Sequence, residues 1–251
     1  MKRLLITICT YNEVDNIRQL LEQLRAVAAD ADILVIDDNS PDGTGDVVTE
    51  CTRTDDKIRL LHREQKEGLG AATLAGFMYA IEHGYDQLLN MDADLSHAPE
   101  YIPAIRKLTD DADVAIGSRY VPGGKIEGWG LKRHFMSRSV NIYTRLLLGL
   151  KTKDNSGSFR CYSVARLSSI DWTKTLSRGY AFQEEVLYRC KAAGCTFAET
   201  PITFVDRRYG NTKINMYEAV AAVLVIFRLG LQRLMGHSVT NSVESSDGTP
   251  T

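Results

Sequence analysis

The sequence lacks a long apolar run, an excess of one charge and paired cysteines, and each absence excludes a class of protein. Its longest apolar run covers residues 219–227, far short of the roughly 20 residues that a membrane-spanning helix needs. A net charge of −2 excludes a globally basic nucleic-acid binder, so we expect no nucleic-acid partner. The five cysteines are scattered without metal-binding spacing, which predicts reduced thiols in a cytosolic protein without a leader peptide.

The common glycine-rich nucleotide motifs are absent as well. No G-x-G-x-x-G follows the first strand-like segment, where Thr10-Tyr11-Asn12-Glu13 stands instead, and no Walker lysine motif occurs. The first predicted strand therefore ends in polar side chains rather than in a glycine phosphate cradle. This pattern argues against an NAD-type dinucleotide site and against a P-loop.

What the chain does contain is an alternation of strand-like and helix-like segments. The predicted strands are 3–9, 32–37, 57–62, 87–91 and 113–117, and the predicted helices between them include one capped by Asn12, one at 70–82 and one at 99–108. Strands joined through helices predict an α/β fold with a mostly parallel sheet flanked by helices. The second half is less regular, with predicted helices at 134–150, 182–193 and 215–235 and a strand at 197–205.

No internal repeat and no linker interrupts this pattern, which predicts a single domain over residues 1–236. Residues 237–251 are rich in Ser, Thr and Gly, a composition typical of a disordered tail.

Two aspartates, Asp92 and Asp94, end the apolar run 87–91. Alternate residues of a strand share a face, so the two carboxylates can converge on one point. Carboxylate oxygens in small number suit Mg²⁺ or Mn²⁺ that also binds waters and substrate phosphates. On its own, a D-x-D pattern more often marks a solvated strand end than a metal site.

Other polar residues also follow predicted strands. In a parallel sheet, ligands bind beyond the carboxyl ends of the strands. One cleft is therefore expected to collect Tyr11, Glu13, Asp38, Asp92, Asp94 and Arg119. Asp38 alone is explained as well by a turn that caps the next helix as by a bond to a ribose or base.

The region from Arg119 to Lys151 is rich in Lys and Arg and contains Glu127 as its one glutamate, a composition that suits an anionic partner. Within it, residues 134–150 form a basic amphipathic helix. Such a helix either lies on a membrane surface or packs on the protein core, and the sequence leaves both open.

Longer motifs carry a family resemblance. Thr10-Tyr11-Asn12-Glu13, the segment 37–44 (DDNSPDGT), Gly68-Leu69-Gly70 and the segment 91–97 (MDADLSH) resemble an inverting GT-A-type glycosyltransferase. The later segments 117–120 (GSRY), Arg133-x-x-x-Ser137, 157–162 (GSFRCY) and 204–213 (FVDRRYGNTK) resemble the dolichol-phosphate, or polyprenol-phosphate, mannose synthase family. The resemblance extends to about residue 230.

The resemblance implies roles for individual residues. Those implied for the nucleotide-sugar donor are Cys9, Tyr11, Glu13, Ile36, Asp38, Asp92, Ala93, Asp94, Arg119, Arg207 and Lys213. Asp92, Asp94 and, as a weaker hydroxyl ligand, Ser96 are implied to hold the metal. Arg119, Arg133 and Ser137 are implied to bind the acceptor's phosphate, with Asp92, Asp94 and Arg119 as the catalytic set. Cys9 stands where the family usually has proline, a departure that puts its contact in doubt.

The activity that this resemblance implies is transfer of mannose from GDP-mannose to dolichyl or polyprenyl phosphate, with Mg²⁺ or Mn²⁺, at the cytoplasmic face of a membrane. A membrane-anchoring subunit is a possible partner. Two alternatives stay open: a glucosyl or other glycosyl transferase that uses a UDP-sugar, and an inactive binding or scaffold subunit. Transfer to a sugar or protein hydroxyl would leave Arg133 and Ser137 without a purpose.

Overall fold

Nine strands and eight helices are present in the computed structural model, which describes residues 2–177, 179, 181–206 and 216–235, with only the backbone for 216–219. The strands are β1 (Leu4–Thr10), β2 (Asp32–Asp37), β3 (Ile58–His62), β4 (Gln87–Asp92), β5 (Val114–Ser118), β6 (Lys125–Glu127), β7 (Arg160–Ser163), β8 (Phe197–Pro201) and β9 (Thr203–Val205). The helices are α1 (Val14–Val27), α2 (Thr44–Thr52), α3 (Leu69–Glu82), α4 (Ile102–Leu108), α5 (Leu131–Leu148), α6 (Val164–Ser168), α7 (Phe182–Ala192) and α8 (Met216–Leu234).

A seven-stranded sheet of order β3-β2-β1-β4-β7-β5-β8 forms the centre of the molecule. All of its strand pairs are parallel except those of β7, which runs antiparallel to both β4 and β5. Helices cover both faces, so β1, β2 and β4 are buried almost throughout, as their continuous apolar runs predict. The expected mostly parallel α/β sheet is confirmed.

Several local predictions were wrong. The predicted strand 197–205 is two strands, because β8 pairs with β5 whereas β9 pairs with β6 in a separate two-stranded sheet. Pro201 ends β8 and has no backbone N–H for a further ladder bond. Asn12 does not cap α1; it adopts a positive φ of 58° and Glu13 is the N-cap residue. The strands β6 and β7 were not predicted at all.

The amphipathic helix predicted at 134–150 is α5, which begins three residues earlier and ends at Leu148. Gly149 follows in the left-handed region with φ of 63°. The last carbonyls of the helix accept hydrogen bonds from Lys191 and Arg233, which contribute positive charge at the negative end of the helix dipole. This end of α5 is thereby fixed against α7 and α8.

The helices predicted at 70–82, 182–193 and 215–235 agree with α3, α7 and α8 to within a residue or two. The helix predicted at 99–108 begins with the short 3-10 turn Pro99–Tyr101 before α4. The predicted tail 237–251, and with it the end of the predicted domain, lies outside the described residues. In the described part of the chain, no helix is both long and apolar enough to cross a membrane.

Candidate active site

The carboxyl ends of β2, β1 and β4 meet at one level. In the sheet register, Cys9 lies beside Ile36 on one neighbouring strand and beside Asp92 on the other. Burial raises the pKa of the Cys9 thiol to about 12, and the nearby carboxylates of Asp92 and Asp38 add to the effect. The Cys9 sulfur lies 3.8 Å from Thr73 Oγ1, on the N-terminal turns of α3. The neutral thiol of Cys9 therefore lies between Asp38, which follows β2, and Asp92, which ends β4.

Asp38 directly follows β2, and both of its carboxylate oxygens have partners in the structure. Its Oδ2 accepts a hydrogen bond from the backbone N–H of Gly68 at 3.2 Å, and its Oδ1 pairs with Arg63. Arg63 also pairs with Glu67. Asp38 thus joins the end of β2 to the start of α3, and Arg63, which sequence reasoning missed, lies beside the predicted nucleotide contact.

Tyr11 and Glu13 lie on the loop between β1 and α1. The ammonium group of Lys66 lies 3.8 Å from the centre of the Tyr11 ring, a cation–π contact that orients the ring. The backbone N–H of Glu13 donates to Thr44 Oγ1 at 3.0 Å, and its carboxylate accepts from Asn16 at 2.9 Å. The donor-binding roles of these two residues stay predictions.

The metal candidates Asp92 and Asp94 lie where β4 ends. Asp92 Oδ1 accepts a hydrogen bond from Ser158 Oγ at 2.6 Å, and its side chain keeps 37% of its surface exposed. Asp94 is buried, and its Oδ1 accepts from both the backbone N–H and the hydroxyl of Ser96, at 3.1 and 2.5 Å. Both Asp carboxylates are held by neighbouring hydroxyls, and Ser96 orients Asp94 in addition to its predicted role as a ligand.

A metal at this position would need oxygen ligands from outside the protein. Within the described residues, no group of three or more His, Cys, Asp or Glu side chains is arranged to hold an ion. Two aspartates beside an open cleft nevertheless fit Mg²⁺ or Mn²⁺, since such ions are commonly bound by one or two carboxylates together with substrate phosphates and waters. The donor set therefore fits a divalent ion that arrives with a diphosphate.

His97, three residues after Asp94, is buried and has a structural role. Its Nδ1 accepts a hydrogen bond from the backbone N–H of Asp92 at 3.3 Å, and its ring stacks on Phe159 with 4.9 Å between centroids. Burial lowers the pKa of His97, and the neighbouring carboxylates only partly oppose this. The imidazole is neutral at pH 7, and it supports the backbone of Asp92.

Arg119, which directly follows β5, forms a buried ion pair with Asp154. Its Nε and Nη2 donate to the two carboxylate oxygens, each at 2.7 Å, and Nη2 also donates to Ser156 at 2.9 Å. Burial alone would lower the pKa of Arg119, but the charge of Asp154 outweighs it and the net pKa is raised. Asp154, which the sequence did not single out, therefore fixes Arg119 in its charged form.

Arg133 and Ser137 lie one turn apart on the inner side of α5. Arg133 Nη1 lies 2.8 Å from an oxygen of Asp206, and Ser137 Oγ accepts a hydrogen bond from the hydroxyl of Tyr120 at 2.7 Å. Tyr120 directly follows Arg119, so Ser137 is tied to the end of β5, whereas Arg133 is tied to the residue that follows β9. The structure brings the three predicted acceptor-phosphate residues close together, since Arg119 and Arg133 also adjoin the same Trp129 ring.

Comparisons with known proteins identify the family of this chain. The model of glycosyl transferase family 2 matches residues 5–170. The chain is 41% identical over 229 residues to an undecaprenyl-phosphate mannosyltransferase of Micrococcus luteus, which covers 91% of this chain and 94% of that protein. The chain belongs to glycosyl transferase family 2. The resemblance to the polyprenol-phosphate mannose synthases is confirmed.

Further relatives agree with this family. A polyprenol monophosphomannose synthase of Mycolicibacterium smegmatis is 41% identical over 227 residues, 88% of this chain and 86% of that protein. Among solved structures, glucosyl-3-phosphoglycerate synthase of Mycobacterium tuberculosis, in complex with Mn²⁺, UDP and glucosyl-3-phosphoglycerate, superposes with a TM-score of 0.62. It is 16% identical and covers 92% of this chain and 80% of its own. That similarity confirms the GT-A fold.

The first turn of α7 carries two further acidic residues, Glu184 and Glu185. Glutamates usually face solvent, but both of these side chains are buried. Glu185 accepts hydrogen bonds from the backbone of Leu176 and Ser177 and pairs with Arg189 at 2.6 Å. It holds the preceding loop against α7.

Glu184 and Gln183 differ from Glu185 in the hydrogen bonding of their side chains. Glu184 Oε2 and both side-chain polar atoms of Gln183 are buried without a hydrogen-bond partner among the described residues. Burial raises the pKa of Glu184 to about 7, with Arg160 and Arg119 acting in the opposite direction. The remaining donor predictions, Arg207 and Lys213, lie outside the described residues.

Proposed function

We propose that this family 2 glycosyltransferase transfers mannose from GDP-mannose to dolichyl phosphate or another polyprenyl phosphate, with inversion at the anomeric carbon. The observation that carries the proposal is the 41% identity to an undecaprenyl-phosphate mannosyltransferase over 91% of the chain. It favours mannose and a polyprenyl phosphate over a UDP-sugar, and an active enzyme over a scaffold subunit.

In this proposal, Asp92 and Asp94 hold Mg²⁺ or Mn²⁺ beside the donor's diphosphate, as the Mn²⁺ and UDP in the structural neighbour suggest. A bound divalent ion supplies charge neutralisation for the departing diphosphate. Ser158 and Ser96 keep the two carboxylates oriented before the donor arrives. Tyr11, Glu13, Asp38, Cys9, Ile36 and the backbone of Ala93 line the nucleotide side, with Arg207 and Lys213 as further donor contacts.

The acceptor's phosphate would lie against Arg119, Arg133 and Ser137. One phosphate oxygen forms a bond to the anomeric carbon while the bond from that carbon to the diphosphate breaks, and GDP departs. A phosphate monoester is already anionic near pH 7, so the reaction needs no strong general base. His97 is poorly suited to be such a base, because its Nδ1 already accepts a hydrogen bond from the backbone of Asp92 and burial lowers its pKa. Arg119 is held by Asp154 and can orient the nucleophile without moving.

The exposed apolar surface supports a membrane as the second partner. The large hydrophobic side chains that the described residues leave exposed belong mostly to α5 and to α8 with its next residue; the exceptions are Val27, Met78 and Val205. On α5, Leu131, Phe135 and Leu146 are more than 70% exposed, and Lys132, Arg138 and Arg145 share that side. Apolar side chains among cations suit the interface of an anionic bilayer. We place this surface on the cytoplasmic face of a membrane.

Transfer is tested with purified protein, Mg²⁺, a polyprenyl phosphate and either labelled GDP-mannose or labelled UDP-glucose. We expect label from GDP-mannose alone to enter the organic phase, with the product in the inverted configuration by NMR. Label from UDP-glucose instead would establish the alternative donor, and no transfer from either donor would indicate the scaffold alternative.

Membrane binding is tested by flotation with vesicles that contain anionic lipid. We expect the wild-type protein to float with the vesicles and a Phe135→Ser, Leu146→Ser variant to remain at the bottom. Wild-type protein that stays unbound would contradict direct binding and favour an anchoring subunit.

A further inference from the structure

Trp129 has an indole N–H that is buried and has no hydrogen-bond partner among the described residues. Buried tryptophan N–H groups are usually paired, because leaving such a donor unpaired destabilises the fold. The other tryptophan of the chain, Trp172, follows the rule, since its Nε1 donates to the carbonyl of Leu167 at 2.9 Å. The unpaired N–H of Trp129 therefore calls for a ligand.

The position of Trp129 is set by the small sheet of β6 and β9. The backbone N–H of Asp206 donates to the carbonyl of Glu127 at 3.0 Å, which joins the ends of these two strands. Gly128 then turns the chain with a φ of 87°, and a Cβ there would lie 2.9 Å from Asp206 Cβ. The indole also makes edge contacts with Phe204 and His134, at 5.4 and 5.7 Å between centroids. The ring is thus held from several sides.

The same indole lies next to both arginines assigned to the acceptor's phosphate. The guanidinium carbon of Arg133 is 4.1 Å from the ring centroid, and that of Arg119 is 5.6 Å away. Each arginine uses part of its fork on a carboxylate, Asp206 or Asp154, and Nη1 of Arg119 makes no hydrogen bond within the described residues. Two cationic donors therefore adjoin a ring that carries a third donor, its own N–H. Together they match the oxygens of a phosphate.

We propose that Trp129 is a third donor of the acceptor site, and that its Nε1–H bonds to an oxygen of the lipid phosphate that Arg119 and Arg133 bind. This inference rests on the proposed phosphate acceptor but not on the identity of the sugar. The acceptor is favoured over the donor diphosphate because Trp129 adjoins Arg133, on the helix whose outer face is apolar. The ring also holds the two guanidinium groups in place through cation–π contact.

The test replaces Trp129 with Phe, which keeps the ring and its packing but removes the N–H. We expect the acceptor KM to rise by about 10- to 100-fold, the range for a hydrogen bond to a charged group. The KM for GDP-mannose is expected to change by less than about twofold. An unchanged acceptor KM would overturn the proposal. Trp172→Phe is the matched control, because it makes the same substitution in the core and leaves Trp129 in place.

A binding measurement separates this inference from the activity itself. Isothermal titration calorimetry measures the affinity of each protein for dodecyl phosphate below its micellar concentration. We expect wild-type protein and Trp172→Phe to bind with similar affinity, and Trp129→Phe to bind about 10- to 100-fold more weakly. GDP with Mg²⁺ is the comparison ligand. A loss of affinity of Trp129→Phe for GDP, with no loss for dodecyl phosphate, would assign the N–H to the donor and overturn the proposal. Equal affinity of wild type and Trp129→Phe for dodecyl phosphate would refute the role of Trp129 and leave the proposed phosphate acceptor standing. A wild-type protein that binds no alkyl phosphate would refute the proposed acceptor.

Discussion

Glu184 provides the sharpest test of the buried polar residues on the first turn of α7. The residue is 4% exposed, and its pKa is raised by burial from 4.5 to about 7. The folded protein therefore keeps Glu184 protonated at pH values where the unfolded chain ionises it. Glu184→Gln replaces the carboxyl with an uncharged amide of nearly the same shape, so it removes the pH dependence and leaves the packing.

The sign and size of the effect follow from proton linkage. A raised folded-state pKa gives stability that is fully present below the unfolded pKa and is lost as the pH rises towards the folded pKa. Each pH unit in that interval costs about 1.4 kcal/mol. Over the interval from 4.5 to about 7, the loss is about 3 kcal/mol. We expect Glu184→Gln to gain about 3 kcal/mol of stability relative to wild type between pH 4.5 and pH 7, and no more above it.

Urea unfolding of both proteins from pH 4.5 to 8 measures this difference, and the subtraction cancels the titration of all other groups. Glu100→Gln is the control, because Glu100 is exposed and its replacement is expected to give a small difference at every pH. A stability difference for Glu184→Gln that stays level across this range would refute the reasoning.

Other variants test the remaining parts of the site. Asp92→Asn should reduce Mg²⁺-dependent transfer by at least about 100-fold, in the range for lost electrostatic stabilisation, while its melting temperature stays near that of wild type; full activity would contradict the metal site. Arg133→Ala should raise the acceptor KM more than the donor KM, whereas the exposed Arg138→Ala should change neither when a short acceptor is used in detergent; the opposite order would reverse the assigned roles. Asp154→Asn leaves Arg119 buried without its counter-charge and should lower the free energy of unfolding by about 3–5 kcal/mol, measured by urea melts. A loss below 1 kcal/mol would mean that this pair contributes little.

The parallel half of the sheet was predictable because its signals are local. Buried strands such as β2 are short apolar runs, and polar residues at their ends mark the cleft side. The strand β7 was not predicted, because its sequence, Arg160-Cys161-Tyr162-Ser163, is neither a continuous apolar run nor a regular alternation of apolar and polar residues. Its burial comes from insertion between β4 and β5, which only the folded chain provides.

The helix α7 shows the same limit for charged residues. Its first turn carries Glu184 and Glu185, residue types that usually face solvent. The structure buries both, because α7 lies beneath the loop that precedes it and against β7, whose Arg160 donates to the carbonyl of Gln183 at 2.7 Å. The helix has no amphipathic periodicity that would indicate the burial of Glu184 and Glu185, since nearly all of its residues are buried regardless of type.

By itself, the sequence determined the α/β alternation, the aspartates at the end of β4 and the order of motifs that defines the family, because these are encoded over a few neighbouring residues. The tertiary structure decided which partners those residues have. Asp154 pairs with Arg119, which is 35 residues away in the sequence, and the pairing of β6 with β9 brings Trp129 next to two arginines. The tertiary structure also decided that many apolar side chains of α5 face outward. An amphipathic pattern alone does not show which side of a helix packs on the core.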